Sequence, residues 1–186
     1  MRLYILSAVV VSVVLTVPVA ARAEPPAHAF GLGIELGAPT GVAAKYYLGA
    51  SSGRGGMVAV QGGLGAIRQW GPDGFHLHVD VVWHPAVLVN DPAFTIPFYV
   101  GVGGRILDWS GNYCFYDNGN RYCEGDGDTD IGLRVPVGLL MDFHNVPLDV
   151  FVELAMVLDF IHVGNDTYYN HDILSINGVL GVRYYF

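Results

Sequence analysis

Charge and long apolar runs are both scarce in this chain. Asp, Glu, Lys and Arg make up only 14% of its 186 residues, while 52% are hydrophobic, a membrane-like composition. Yet no stretch reaches the roughly eighteen uninterrupted apolar residues that a membrane-spanning helix needs. Alternation reconciles these facts, because a β-barrel spreads its lipid-facing residues thinly through the sequence. Basic residues are scarcer still, 9 against 17 acidic. That balance argues against nucleic acid or any polyanionic ligand as a partner.

Residues 1–23 read as a secretory signal. Arg2 gives the positive start, 3–15 the apolar run, and Ala21-Arg22-Ala23 an A-x-A cleavage site. Glu24, not cysteine, stands immediately after that site, so no lipid anchor is expected. Residues 24–186 then form a single domain. Removing Arg2 and Arg22 from the 9 basic residues leaves 7 against 17 acidic, a net charge of −10. The only cysteines, Cys114 and Cys123, lie in one segment of an exported chain and read as a disulfide.

The clearest positive signal lies at 174–186. Leu174, Ile176, Gly178, Leu180, Val182, Tyr184 and Phe186 alternate with Ser175, Asn177, Val179, Gly181, Arg183 and Tyr185. A period of two is a strand, not a helix. Seven further segments behave likewise, at about 30–37, 42–48, 57–67, 75–84, 96–106, 130–143 and 148–160. Breaker-rich turns separate them, among them Gly71-Pro72-Asp73-Gly74 and His144-Asn145-Val146-Pro147. One row of each strand is bulky and apolar; the other mixes glycine with ionisable groups. The bulky row holds more volume than the inside of an eight-stranded barrel can take, so it faces lipid and the ionisable row faces the lumen. Phe30, Phe75, Trp83, Phe143, Phe160 and Phe186 sit at ends of the apolar row, where interfacial aromatic girdles are expected. The fold class is all-β, an eight-stranded antiparallel up-and-down transmembrane barrel.

The strand count, the closing Tyr184-Tyr185-Phe186 and the ionisable interior resemble the OmpA/OmpX-type barrels of bacterial outer membranes. More narrowly, Gly37-Ala38-Pro39-Thr40-Gly41-Val42-Ala43-Ala44-Lys45-Tyr46-Tyr47 resembles the first hairpin of a small outer-membrane barrel family with a Pro-Thr-Gly turn. The resemblance implies an integral outer-membrane location and contact with lipid and lipopolysaccharide. It also implies that the barrel-assembly machinery reads the terminal strand through Tyr184 and Phe186. Both chain ends would be periplasmic, making the first, third, fifth and seventh connections extracellular. The longest of these, at about 108–129, carries both cysteines.

The lumen row collects Glu35, Lys45, His76, His78, Asp80, Tyr99, Arg105, Arg134, Asp142, Asp149, Glu153, Asp159 and Arg183. Buried charges must pair or be hydrated, so the leading expectation is a polar network plugging a narrow lumen. Glu35 and Lys45, near the first turn on adjacent strands, are candidates for a direct pair. The acidic excess leaves a narrow cation-preferring pore as an alternative. His76, His78 and Asp80, at alternate positions of one strand, are candidate ligands for zinc or nickel, though all three together strain the geometry. No cofactor is expected.

No catalytic residue is assigned. A lipid A-modifying enzyme of the deacylase type would need Ser, His and an acid near the outer rim. His171, Asp172 and Ser175 lie there, but without the His-x-Ser spacing of those enzymes. The 124–130 segment alternates carboxylates and glycines as a Ca²⁺ loop does, but Ile131 stands where an EF-hand needs glycine. The aromatic stretch 112–123 supports a further alternative, an adhesin or ligand-binding protein acting through the Cys114–Cys123 loop. The function expected first is a structural or loop-presenting outer-membrane barrel.

Overall fold

The computed structural model describes residues 30–50, 57–68, 73–117, 120–163 and 173–186. The signal segment 1–23, His171 and Asp172 lie outside them. Eight strands, β1 (Phe30–Gly37), β2 (Thr40–Ala50), β3 (Met57–Arg68), β4 (Asp73–Asn90), β5 (Phe94–Asp117), β6 (Asn120–Phe143), β7 (Leu148–Val163) and β8 (Leu174–Tyr185), form one closed barrel in sequence order. Every neighbouring pair is antiparallel, and β1 pairs with β8 from Gly31↔Tyr185 to Gly37↔Val179 to close it.

Alternation decides which side chain faces where. Leu154 is 58% exposed and Ala155 is 0%; Ile176 is 72% exposed and Asn177 is 1%. Leu32, Ile34, Leu36, Val79, Val81, Val102, Val152 and Leu180 are likewise exposed, while the residues between them are mostly buried. A soluble barrel would invert this pattern. Outward aromatics cluster near the end that carries both termini. Phe30 pairs with Tyr46, Tyr184 packs edge-on against Phe186 at 5.2 Å, and Phe94 lies 6.5 Å from Phe143. Phe75 and Phe160 mark the opposite end.

The first turn is tight because Gly37 takes φ +132°, a conformation that favours glycine. Thr40 Oγ1 accepts from the Gly37 amide at 3.1 Å and donates to the Gly37 carbonyl at 3.1 Å, fixing the two-residue connection. A Cβ at Gly37 would also meet the Gly178 carbonyl oxygen at 2.2 Å, so closure against β8 needs glycine there.

Three expectations change. The fourth strand does not stop at residue 84. It continues to Asn90 through register shifts between Trp83 and Ala86 and between Val87 and Val89. The 108–129 segment is no loop but strand, paired from Asp108↔Thr129 to Asp117↔Asn120. The 124–130 segment is therefore extended β6 backbone, not a curled Ca²⁺ loop. An Asn118-Gly119 pair, the strongest short hairpin signal, stands between the paired ends and was available to predict this.

Candidate functional site: a layered polar lumen

Period-two alternation delivers polar and charged side chains from all eight strands to one narrow interior, where they sort into three tiers. Nearest the termini, Lys45 Nζ lies 2.8 Å from His84 Nε2, and His84 Nδ1 lies 3.2 Å from the Met57 carbonyl oxygen. A carbonyl only accepts, so Nδ1 carries the ring proton and Nε2 accepts from the lysine. The ammonium also rests 5.1 Å from the Tyr47 ring centre and 4.8 Å from that of Tyr99, which supply cation–π attraction in place of a counter-ion. Beside it, Arg183 Nε donates to Asp149 at 3.1 Å, and the Tyr185 hydroxyl donates to the same carboxylate. The Arg183 guanidinium stacks 4.0 Å over Phe151.

The middle tier is built around Arg134. Its guanidinium bridges Asp80 of β4 and Glu153 of β7, and Glu153 Oε2 accepts further from the Tyr99 hydroxyl at 2.8 Å and from Gln61 Nε2 at 2.5 Å. These are charge-assisted bonds between fully desolvated groups, so removing one partner strands the others. Glu35 and His78 sit beside this bridge. Arg134, Asp80 and Tyr99 are 0% exposed, Glu35 2%, His78 and Glu153 3% and Gln61 5%.

Toward the other end, Arg105 Nε donates to Asp159 Oδ1 at 3.0 Å, Nη1 to Asn177 Oδ1 at 3.0 Å and Nη2 to Ser175 Oγ at 3.2 Å. Above it, Trp109 Nε1 donates to Asp130 at 3.1 Å, and Asp130 lies 2.7 Å from His162 Nδ1. Ser175 is thus held by an arginine.

All thirteen lumen residues expected from the sequence line this interior, with Asp142 opposite Asp149 at the terminal end of β6 and β7. Their pairing differs from expectation in one place. Register puts Lys45 opposite Gly31 and Glu35 opposite Gly41, four residues or roughly 13 Å apart along the strand, so they do not pair. The residues missed as site members, Gln61, His84, Asn177, Tyr47 and Tyr185, all lie in the inward row; carrying the alternation through every strand would have included them.

The metal expectation also shifts. The ligand atoms that come together, within 4.8 Å of one another, belong to His78, Asp80 and Glu153. His76 stands outside that group, its ring edge-on to His78 at 5.3 Å. Strand geometry explains the change: His76 and Asp80 are four residues, roughly 13 Å, apart along β4, whereas a facing strand offers Asp80 a nearer carboxylate in Glu153. Arg134, bonded to both Asp80 and Glu153, already supplies positive charge there and opposes a divalent ion at that point.

An apolar exterior, outward aromatics toward both ends and a lumen of bonded charges define a small eight-stranded β-barrel of the transmembrane type. No known family matches the chain, and no curated protein does. A solved structure similar to it is the "Crystal Structure of Acinetobacter baumannii CarO", at 11% identity and TM-score 0.44, covering 88% of this chain and 100% of that one. A similarity of that depth transfers no residue role.

Proposed function

We propose that this is an integral outer-membrane protein whose lumen is plugged and whose work is structural and loop-presenting. One observation carries the reading. The Asp80–Arg134–Glu153 bridge, with Tyr99 and Gln61 bonded to Glu153, crosses the waist of the barrel and joins β3, β4, β5, β6 and β7. Tiers at Arg183–Asp149 and Arg105–Asp159 close the path on either side. Small barrels are filled by side chains in this way. In planar bilayers the purified barrel is expected to pass no steady current. Sustained, cation-selective conductance would replace this reading with that of a narrow pore.

A second reading is favoured by the β5–β6 hairpin. β4 last pairs with β5 at Gly74↔Trp109 and β7 last pairs with β6 at Thr129↔Val163, so among the described residues the pairs from Ser110↔Gly127 to Asp117↔Asn120 have no neighbour strand. This ribbon spans eight residue pairs, roughly 27 Å of strand. It is suited to present an epitope outside the membrane, with Cys114 directly opposite Cys123. A disulfide between them, contact with lipopolysaccharide, and reading of Tyr184 and Phe186 by the assembly machinery belong to the same proposal. Catalysis does not; expression of the protein is expected to leave the lipid A mass spectrum unchanged.

A further inference from the structure

Glu35 of β1 and Arg183 of β8 meet across the seam that closes the barrel. Register sets Glu35 opposite Gly181, so Arg183 is its diagonal neighbour on the same lumen face. Diagonal neighbours stand roughly 7–8 Å apart, within reach of two long side chains. Yet Glu35 Oε1 and Arg183 Nη2 are both buried without a hydrogen-bond partner among the described residues. The guanidinium is not free to swing, because its Nε donates to Asp149 and its Cζ lies 4.0 Å from the Phe151 ring centre. An unpaired buried donor and an unpaired buried acceptor are each costly, so the pair calls for a molecule that satisfies both.

The place for it is a cavity of about 10 Å³, room for one water, whose lining includes Glu35, Ala43, Gln61, His78, Glu153 and Arg183. Its lining decides the charge of the occupant. Arg183 opposes a cation, and Glu35 and Glu153 oppose an anion. A neutral molecule that both donates and accepts fits. Gln61 Nε2 donates to Glu153, which leaves Gln61 Oε1 as a second unpartnered acceptor of the lining. His78 Nδ1, also unpartnered, donates or accepts according to its tautomer.

We propose that this cavity is a binding site for one water molecule, which donates to Glu35 Oε1 and Gln61 Oε1 and accepts from Arg183 Nη2. His78, in its Nδ1–H tautomer, completes four bonds. The water makes Glu35 and Arg183 a bridged ion pair, joining β1 to β8 where strand pairing closes the barrel. It also ties the Arg183–Asp149 tier to the waist, because Gln61 is bonded to Glu153. The counter-ion of Glu35 is then Arg183, not the Lys45 that the sequence suggested. The inference goes beyond the plugged-lumen reading, which stands even if the cavity is dry.

Two measurements on the processed barrel test it. Crystals are expected to show one density peak within hydrogen-bond distance of Glu35 Oε1, Gln61 Oε1 and Arg183 Nη2. Soaks in thallium(I) and in bromide are expected to leave that peak without anomalous signal. An empty cavity, an anomalous peak from either ion, or a direct Glu35–Arg183 bond in its place would overturn the proposal. The second measurement compares Ala43→Thr with Ala43→Val, two side chains of nearly equal volume placed in the lining. Valine displaces the water and strands its partners, whereas the threonine hydroxyl replaces part of what the water supplies. In urea titrations the valine variant is expected to have a folded-to-unfolded ratio about tenfold below that of the threonine variant. Equal stability, or a more stable valine variant, would mean that the cavity is apolar in character and holds no water. If either variant does not fold, the wild-type crystals decide.

Discussion

The same two strands, β5 and β6, belong to two kinds of structure. Below Trp109 and Thr129 each has a partner on both sides and an interior filled with bonded charge. Beyond them, among the described residues, β5 and β6 pair only with each other. In the closed part every strand edge is paired, which is what a bilayer demands of backbone polar groups. A two-stranded ribbon is at best marginal in water, so the outer part depends on its turn and on whatever links its strands. Closure makes the barrel a unit, whereas the ribbon can be altered without consulting the rest.

The largest test of that contrast removes the waist. Arg134→Ala leaves Asp80 and Glu153 buried without their shared cation and is expected to cost about 3–5 kcal/mol of barrel stability. Urea unfolding in detergent or lipid, followed by tryptophan emission and gel mobility, reads the loss. A change under about 1 kcal/mol would mean that water screens these charges, contrary to a plugged lumen.

Next comes the wall. Leu154 is 58% exposed on the apolar exterior of β7. Leu154→Arg is expected to cost about 2–4 kcal/mol in a bilayer, where the charge meets hydrocarbon. In detergent micelles, which deform around a charge, the penalty should shrink. Equal cost in both media would argue that this face does not meet lipid. Ala155 is a poorer control than alternation alone suggests. At 0% exposure between Pro136 and Asn177 in register, it leaves a larger side chain no room.

Alternation made the barrel and its facing legible in the sequence because it is a local signal, repeated on every strand. Strand length was not legible for β5 and β6. Their outer continuation has no lipid face, so the apolar period that marks the wall fades while the backbone pairing goes on. The tiers were half legible. Membership of the lumen follows from period two, but who pairs with whom follows from register and shear, which bring Arg134 to Asp80 across 54 positions of sequence. Glu35 and Lys45 show the limit. Both are near the first turn, but not equally far from it, and a register offset of four residues separates them.

Glycine gives a smaller and sharper test of inside against outside. A Cβ at Gly33 would meet the Val182 carbonyl oxygen at 1.8 Å and the Arg183 Cα at 2.6 Å, so Gly33→Ala must push apart the β1–β8 seam that closes the barrel. It is expected to cost about 1–3 kcal/mol, as overpacking does. At Gly104, on the outer face of β5, the nearest such contact is the Gly132 carbonyl oxygen at 3.6 Å. Gly104→Ala is therefore expected to be neutral or slightly stabilising, since alanine loses less backbone entropy on folding. Were the two substitutions equally harmful in urea titrations, crowding at the seam would not be the reason for Gly33.

The smallest effect on the barrel is expected at the ribbon. Register places Cys114 opposite Cys123, with eight residues between them across the Asp117↔Asn120 end. A ring of that size restrains the unfolded chain by only about 2–3 kcal/mol in the loop-entropy account. Because pairing beyond Trp109 touches no neighbour strand among the described residues, that gain belongs to the ribbon and hardly reaches the closed wall. Reduction, or Cys114→Ser with Cys123→Ser, is expected to leave the barrel's urea midpoint and gel mobility unchanged while protease nicking between 110 and 127 rises. Unfolding of the barrel on reduction would couple the two regions and end the contrast between them. Two reactive thiols in protein exported through the oxidising periplasm would show that the ribbon stands without a disulfide, held by its strand pairing alone.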